Sequence, residues 1–307
     1  MIGVRRHEVI PARGIGVTDN VINTIVRSAD TFICDDGTKK SVISLITATS
    51  ISIRSGMTVR EVETAALRQG TIPLRYIRNV GTVGLTGQIK MLESTVAVVG
   101  AGGLGGTIIE LLVRNGVGHI IIIDDDRFSE SDLNRQIMSN EADLDEPKAA
   151  VTARRVRSVN SSTEITAHQE RLTPENATGL FGGAHVVVDG LDNLPSRFAV
   201  ETACRDLQIP YVYGTIAGLG GQLMTIFPQD PGLSTIYGPP DATSRRGIET
   251  AIGTPAVTPA IIAALQVQEV IKIITGVGTP IRNQILLVDV STGTFDIVEL
   301  DKQTAWR

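Results

Sequence analysis

The feature that most constrains this 307-residue chain is a glycine-rich turn between a strand-like run and a helix-like segment. The run Ser94–Val99 is short, β-branched and apolar, as in strands buried on both faces of a parallel sheet. Leu104–Asn115 has helical periodicity, and Gly116 marks its end. The turn between them contains Gly100, Gly102, Gly103 and Gly105. Glycines let the backbone approach a phosphate closely, and the following helix supplies unpaired N–H groups, so the arrangement predicts a nucleotide-binding loop.

Further strand-like runs follow, separated by helix-like segments. His119–Ile123 and Ala184–Val188 are buried-strand patterns, and Tyr211–Tyr213 opens another. Glu146–Val159 is typical of a helix with Pro147 in its first turn. Strands that alternate with helices of this length predict right-handed βαβ units. We therefore expect an α/β fold with a doubly wound, mostly parallel, Rossmann-like sheet.

The pattern before this sheet is different, and it predicts two domains. Residues 1–72 are expected to form a small accessory α+β domain, and residues 73–307 the nucleotide-binding domain. The expected N-terminal elements are an extended Arg6–Ile10, a helical Asn20–Ser28, a turn at Gly37, a helical or mixed Ser41–Ser52 and an extended Met57–Val62.

Charge and hydropathy exclude several classes of protein. The formal net charge of -5 argues against a basic face for nucleic acid. The start of the chain, Met1–Glu8, turns charged at once and has no apolar signal core. The longest apolar stretch, Pro259–Gly278, contains Gln266, Glu269 and Lys272, which interrupt the roughly 18 to 20 apolar residues of a membrane-spanning helix. We expect a cytoplasmic protein that binds neither membranes nor nucleic acid.

Acidic side chains follow the second strand of the expected sheet. Asp124, Asp125 and Asp126 lie about 20 residues beyond the glycine-rich turn, where a carboxylate can accept hydrogen bonds from a ribose. Asp124 is the main candidate and Asp126 a weaker one. This feature alone fits NAD as well as ATP.

Charged residues further along favour ATP. Two cations follow, Arg135 in the segment Asp132–Gln136 and Lys148 in the segment Glu146–Lys148. Two carboxylates lie in the segment Asp189–Asn193, and Arg197 comes four residues after it. Arginine and lysine neutralise phosphate charge, and a carboxylate can hold Mg²⁺. A dehydrogenase needs a hydride-transfer site and has no use for this set.

The same segments resemble the family of ThiF, MoeB and HesA proteins and ubiquitin-activating enzymes over about residues 73–300. The motifs that carry the resemblance, in family order, are Arg75–Arg78, Gly100–Gly105, Asp124–Asp126, Leu133–Gln136, Pro147–Lys148, Asp189–Asn193 and the helix Pro259–Gly276. The resemblance implies ATP-dependent adenylation of a carboxylate by a homodimer.

The resemblance also implies roles for single residues. Arg135 and Lys148 would hold the triphosphate, and Asp192 would hold Mg²⁺ beside the α-phosphate. Arg78 would reach across the dimer to the partner's ATP. Further nucleotide contacts are implied for Asp124, Asp126, Asn134, Gln136 and Asn193. The alternative for Arg78 is a surface ion-pair partner. Without the resemblance, Asp192 fits a turn residue equally well.

The chain departs from the family in its cysteines. Many relatives bind a structural zinc through two Cys-x-x-Cys pairs, whereas Pro231–Pro240 and residues 301–307 contain no cysteine here, so no structural zinc is expected. The region 230–254 also lacks a thiol for a thioester. Cys34 lies far away, and Cys204 fits a buried helix position. The chemistry is therefore expected to stop at the acyl-adenylate.

A second departure is Asp132, which stands where relatives commonly carry Asn before Leu-x-Arg-Gln. An amide there can donate a hydrogen bond to the triphosphate, whereas an ionised carboxylate cannot. We expect Asp132 to repel the phosphates, to help hold the metal or to turn outward, and repulsion is the favoured alternative.

The leading functional hypothesis is adenylation of the Gly-Gly tail of a small ubiquitin-like sulfur carrier, which releases pyrophosphate. Alternatives are adenylation of a short peptide's C-terminus and a non-catalytic, nucleotide-binding regulatory role. An NAD-linked oxidoreductase is disfavoured by Arg135, Lys148 and Asp192.

Overall fold

The computed structural model describes residues 19–240 and 252–300, and the chain divides into two compact units. The first unit ends at Ile77 and the second begins at Arg78. The domain boundary expected after residue 72 falls within the last strand of the first unit, Ile72–Pro73. The predicted extended segment Arg6–Ile10 lies outside the described residues.

The described part of the first unit is a small α+β structure. Its helices are α1 (Asp19–Arg27), α2 (Leu45–Ser55) and α3 (Val59–Arg68). Its strands are β1 (Asp30–Ile33), β2 (Lys39–Ile43) and β3 (Ile72–Pro73). β1 pairs antiparallel with β2, and β2 pairs parallel with β3. Ile25, Ile43, Ile51 and Val62 form the centre of its apolar core.

The prediction of an extended Met57–Val62 is wrong, because helix α3 begins at Val59. Thr58 and Glu61 form a reciprocal capping box. The backbone N–H of Glu61 donates to the Thr58 hydroxyl at 3.2 Å, and the backbone N–H of Thr58 donates to the Glu61 carboxylate at 2.7 Å. These bonds satisfy two N–H groups at the helix start and outweigh the β-branched character of the segment.

The second unit contains the large sheet and the helices that cover it. Its helices are α4 (Val80–Leu92), α5 (Gly103–Asn115), α6 (Lys148–Val159), α7 (Ala177–Leu180), α8 (Leu194–Leu207), α9 (Ser234–Tyr237) and α10 (Val257–Thr275). Its strands are β4 (Thr95–Val99), β5 (His119–Ile123), β6 (Glu164–His168), β7 (Val186–Asp189), β8 (Tyr211–Ala217), β9 (Gly220–Ile226), β10 (Gln284–Asp289) and β11 (Thr294–Glu299).

The described strands of the second unit form an eight-stranded sheet in the order β11-β10-β9-β8-β7-β4-β5-β6. The pairs from β8 through β7, β4 and β5 to β6 are parallel, and β9, β10 and β11 extend the sheet antiparallel. The chain proceeds from β4 to β5 and β6 on one side, then returns to β7 on the other. This confirms the doubly wound, mostly parallel α/β fold. The reversal places a crevice at the carboxyl ends of β4, β5 and β7.

Helix α10 lies in the core of the second unit. Its Ile262, Ala263, Val267 and Val270 are at most 3 % exposed and pack in the same apolar cluster as Val96, Ile120 and Ile122 of the sheet, among other residues. By length and composition it is the one described helix that could cross a membrane. Its burial matches the core helix of a globular unit.

Candidate nucleotide-binding site

A cavity of about 600 Å³ lies at the carboxyl ends of β4, β5 and β7. This volume is in the range of small-molecule sites. The candidate residues that line it are Gly100, Gly102, Gly103, Asp124, Asp126, Arg135, Gln136, Lys148, Asp192 and Asn193. Arg78, Gly105 and Asn134 are not part of its lining.

The glycine-rich turn requires glycine at two positions because backbones approach closely there. Gly100 has φ +92°, and a Cβ on it would lie 2.5 Å from the carbonyl oxygen of Gly190. A Cβ on Gly105 would lie 1.8 Å from the carbonyl oxygen of Gly100. Gly102 precedes the first residue of α5, Gly103, so the free N–H groups of the helix start lie in this turn. Gly105 therefore shapes the turn without lining the cavity.

Asp124 joins the turn to the end of β5. Its Oδ2 accepts the N–H of Ala101 at 2.6 Å, and its Oδ1 accepts the N–H of Asp126 at 2.8 Å. Burial raises the pKa of the Asp124 carboxyl, although these two N–H groups and Lys148 act in the opposite direction. Each carboxylate oxygen can accept a further hydrogen bond, as a ribose hydroxyl would require.

Lys148 brings a buried cation to the cavity. It is 7 % exposed, and its Nζ lies 3.1 Å from Oδ2 of Asp126 and 3.9 Å from Oδ2 of Asp132. Lys148 is also the first residue of α6, where the helix dipole disfavours a cation. A buried cation at this unfavourable position suits a site that binds an anion.

Asp132 is held by protein donors, which the sequence did not reveal. Its Oδ2 accepts the backbone N–H and the hydroxyl of Ser129, each at 3.0 Å, and its Oδ1 accepts Nε2 of Gln136 at 2.5 Å. Nη2 of Arg135 lies 3.5 Å from Oδ1. The carboxylate caps the short 3₁₀ turn Glu130–Asp132. These donors and Lys148 offset the repulsion that an isolated carboxylate would exert on a phosphate.

Gln136 and Arg135, which both contact Asp132, have different further contacts. Gln136 is buried, and its Oε1 has no hydrogen-bond partner among the described residues, which leaves an acceptor near Gly102 for a ligand donor. Nη1 of Arg135 donates to Oδ1 of Asn134 at 2.9 Å, and Nδ2 of Asn134 donates to the carbonyl of Thr254 at 3.2 Å. Asn134 thus orients Arg135 and contacts the segment at Thr254.

Asp192 and Asn193 lie at the start of α8. The Asp192 carboxylate is exposed, and its Oδ1 accepts Nδ2 of Asn193 at 3.1 Å. Oδ1 of Asn193 accepts the N–H of Ser196 at 3.0 Å and caps the helix. Arg78 is exposed, and a single chain does not bring it into the cavity lining.

The segment Glu170–Leu172, which was not predicted from the sequence, also lines the cavity. It follows β6, whose end lies beside that of β5, but β6 is only partly buried and lacks a long apolar run. With this segment, the described lining contains six carboxylates and four cations. A metal counter-charge would favour binding of a triphosphate beside these carboxylates.

A magnesium ion fits this site as a companion of phosphate. Among residues 19–240 and 252–300, no group of three or more His, Cys, Asp or Glu side chains could hold a metal. Mg²⁺ is commonly held by one or two carboxylates together with substrate phosphates and water, and the exposed Asp192 can supply one. The expectation that zinc is absent stays a prediction.

Cys204 lies in α8 and is 2 % exposed. Burial raises the pKa of its thiol far above the ordinary value, and the charge of Glu201 acts in the same direction. The thiolate is the nucleophilic form of cysteine, so this side chain is a poor nucleophile.

A glycine-rich turn at the reversal point of a doubly wound sheet, with a carboxylate at the ribose position and cations beyond it, defines a nucleotide-binding α/β protein. The profile of the ThiF family matches residues 76–305, and the chain belongs to this family. The SAMP-activating enzyme E1 of Haloferax volcanii is 33 % identical over 228 residues, covering 73 % of this chain and 84 % of that protein. The sulfur carrier protein ThiS adenylyltransferase of Escherichia coli is 35 % identical over 210 residues, covering 67 % and 83 %.

A solved structure is similar over a longer part of the chain. The crystal structure of E. coli MccB with MccA-N7isoASN has a TM-score of 0.65 at 18 % identity, covering 92 % of this chain and 88 % of that one. This likeness concerns the fold. The ThiF family match begins at residue 76, so the first unit lies almost entirely outside it.

Proposed function

We propose that this chain is an ATP-dependent adenylyltransferase that activates the C-terminal carboxylate of a ubiquitin-like sulfur-carrier protein, forming an acyl-adenylate and pyrophosphate. The observation that carries the proposal is that Arg135, Lys148 and Asp192 line one cavity with the glycine-rich turn. The adenylyltransferase and activating-enzyme names of the relatives support it.

In the proposed reaction, a carboxylate oxygen of the carrier bonds to the α-phosphorus of ATP as the bond to pyrophosphate breaks. The nucleophile is already ionised, so a general base adds little, and catalysis depends on positioning and charge neutralisation. Lys148 and Arg135 would neutralise the phosphates, and Asp124 would hold the ribose. Mg²⁺ held by Asp192 would offset further phosphate charge.

Lys148 can change partners when phosphate binds. Its present partner Asp126 has a side chain that is 67 % exposed, whereas the ammonium of Lys148 is buried. Asp126 can therefore turn towards solvent while a phosphate oxygen takes its place beside Nζ. Asp132, held by Ser129 and Gln136, would remain as the fixed neighbour of the ammonium.

A second groove, of about 390 Å³, offers a place for the acyl chain. It shares Arg197, Thr215 and Ile216 with the nucleotide cavity. Its other described lining residues are Leu194, Ala217, Gly220, Gly221, Gln222, Tyr237, Leu287 and Val288. Arg197 is the one charged side chain among them, and it pairs with Asp189. A neutral tail of small residues, such as Gly-Gly, suits this lining.

Gly220→Val is expected to raise the KM for the carrier about tenfold or more, with ATP affinity unchanged. A Cβ on Gly220 would meet the Ala217 carbonyl oxygen at 3.4 Å, which the backbone tolerates, and the added methyls would occupy the groove. Overpacking of this kind typically costs about 1–3 kcal/mol. Steady-state kinetics with the carrier and calorimetry with ATP measure the two effects. Gly179→Val, outside both cavities, is the control, and an unchanged KM in Gly220→Val would place the tail elsewhere.

The second candidate function is adenylation of a short peptide's C-terminus. The observation that favours it is the first unit: the family match covers only the end of this unit, whereas the structural likeness to MccB spans 92 % of the chain. If the second unit alone recognises a sulfur carrier, the first unit has no role in substrate binding. A surface on the first unit would have such a role if the substrate is a peptide.

ATP–pyrophosphate exchange tests both candidates. We expect exchange with a sulfur carrier that ends in Gly-Gly and none with the same carrier amidated at its C-terminus. A synthetic peptide without a globular carrier is measured in parallel. Exchange with the peptide and not with the carrier would favour the second candidate, and exchange with neither would contradict both.

We also propose that the enzyme is a homodimer in which Arg78 completes the partner's site. Exposure of Arg78 outside its own cavity supports this arrangement, as do the exposed apolar side chains Ile137, Leu219 and Val257 of the second unit.

Mixing an Arg78→Ala chain with a Lys148→Ala chain is expected to restore part of the activity, because each mixed dimer has one intact site. Each variant mixed with itself is the control. A monomer by light scattering, or no restoration after subunit exchange, would contradict the arrangement.

A further inference from the structure

Asp189 and Arg197 form a buried ion pair beneath the loop that carries Asp192. Asp189 ends β7 and is 0 % exposed, and Arg197 in α8 is 4 % exposed. Nε of Arg197 donates to Oδ2 of Asp189 at 3.0 Å, and the Tyr211 hydroxyl donates to the same oxygen at 2.9 Å. A buried ion pair often stabilises a fold no better than apolar residues of the same volume, so stability alone does not account for it.

The pair holds both backbone polar groups of Leu191, the residue before Asp192. Oδ1 of Asp189 accepts the Leu191 N–H at 2.8 Å, and Nη2 of Arg197 donates to the Leu191 carbonyl oxygen at 2.6 Å. The residue after Asp192, Asn193, is fixed as the N-cap of α8. The backbone of Asp192 therefore lies between two anchored residues.

The guanidinium of Arg197 is directed towards protein acceptors. Besides the bonds to Asp189 and Leu191, its Nη2 lies 3.4 Å from the carbonyl oxygen of Gly214, and its central carbon lies 5.5 Å from the ring centroid of Tyr213. These contacts distinguish it from Lys148, whose ammonium has an exchangeable, exposed partner. Only the rigid fork of a guanidinium can serve the carboxylate and the carbonyl together, since lysine presents a single nitrogen on a flexible stem.

We infer that Arg197 is a positioning residue that fixes, through Leu191, the backbone from which Asp192 holds Mg²⁺. The inference rests on the proposed function, in which Asp192 is the protein ligand of the Mg²⁺–ATP complex. Among the described residues, the Asp192 carboxylate accepts one hydrogen bond, from Nδ2 of the neighbouring Asn193. Its orientation thus depends on the backbone. Residues that orient a metal ligand typically contribute about 10- to 100-fold to metal affinity.

The test measures ATP binding by calorimetry over a series of Mg²⁺ concentrations and in EDTA. Arg197→Lys is expected to raise about tenfold the Mg²⁺ concentration at which ATP binding is half-maximally strengthened. ATP affinity in EDTA is expected to stay near the wild-type value, because Arg197→Lys keeps the positive charge at the cavity wall and the guanidinium of Arg197 is bonded to Asp189, Leu191 and Gly214. A general loosening of the fold would weaken binding in both conditions.

Arg205→Lys is the matched control. Arg205 lies on the same helix, pairs with Glu201 and donates to the carbonyl oxygens of Pro228 and Asp230, so it anchors a different segment. Its replacement is expected to lower the melting temperature and leave the Mg²⁺ dependence unchanged. In an Asp192→Asn background, Arg197→Lys is expected to add no further shift, because a residue that acts through Asp192 has no effect once that ligand is lost.

The double variant Asp189→Asn/Arg197→Gln removes both charges, so its folding does not depend on an uncompensated buried ion. It is expected to show the same shift in Mg²⁺ dependence as Arg197→Lys. A wild-type Mg²⁺ dependence in either folded variant, or an equal shift in Arg205→Lys, overturns the positioning role. A wild-type chain that binds no ATP in any condition overturns the proposed function and the inference together.

Discussion

Replacing Lys148 by methionine is expected to lower acyl-adenylate formation at least about 100-fold, since loss of one charge-stabilising group typically has this effect. The Lys148 ammonium is buried in the nucleotide cavity, 3.1 Å from Asp126 and 3.9 Å from Asp132. Methionine keeps the stem and loses the charge. Asp132 keeps its bonds to Ser129 and Gln136, so the fold should persist. Pyrophosphate exchange measures kcat/KM, and circular dichroism checks folding.

Arg154→Met is the matched control for Lys148→Met. Arg154 lies on the same helix, but its side chain is 54 % exposed, with partners Glu146 and Asp143 each at 2.7 Å. Surface ion pairs contribute little, and this one lies outside the cavity. Near-wild-type exchange in the control is expected. An active Lys148→Met variant, or an equal loss of exchange activity in both variants, would show that Lys148 does not bind the phosphates.

Gly105→Ala is expected to destabilise the fold by more than about 4 kcal/mol, a loss that only a severe steric or electrostatic conflict produces. The added Cβ would lie 1.8 Å from the Gly100 carbonyl oxygen and 2.6 Å from its carbon. These are backbone atoms, and the Gly100 N–H is bonded to the carbonyl of Ile123 at 2.8 Å, so the turn cannot move aside cheaply. Urea denaturation measures the change in the free energy of unfolding.

Gly103→Ala provides the comparison from the same helical turn. Its Cβ would meet Cγ of Arg135 at 3.5 Å and Cβ of Pro259 at 3.6 Å, which are ordinary contacts. Alanine in a helix is typically better than glycine by about 0.5–1 kcal/mol, so this variant is expected to match or exceed the wild type in stability. Equal stability of the Gly103 and Gly105 variants would show that the backbones at Gly100 and Gly105 do not approach each other this closely.

The sheet was predictable because its signals are local. Ser94–Val99 and His119–Ile123 are apolar runs buried on both faces, and the observed strands Thr95–Val99 and His119–Ile123 match them within one residue. Gly116 caps α5 with φ +83°, a conformation that glycine adopts freely. Where a residue's neighbours along the chain determine its conformation, the local sequence pattern is enough to predict the strand or the helix end.

The sequence was less informative where partners lie far apart along the chain. The expected repulsion between Asp132 and phosphate took no account of Lys148, which helix α6 brings to 3.9 Å from the Asp132 carboxylate. Arg197 was noted beside Asp189 in the motif, yet its bond to the Leu191 carbonyl depends on how α8 leaves the sheet. By contrast, the error at Met57–Val62 was avoidable, because the capping box is a local signal.

Isotopic labels on single phosphorus atoms of ATP test the proposed adenylation directly. The chain is incubated with Mg²⁺, a sulfur carrier ending in Gly-Gly and ATP labelled at either the α- or the γ-phosphorus, then quenched in acid. Adenylation predicts that α-label stays with the carrier and γ-label appears in pyrophosphate, both only when the carrier has a free C-terminal carboxylate. Transfer of γ-label to the carrier, or release of γ-label as single phosphate without pyrophosphate, would contradict the account.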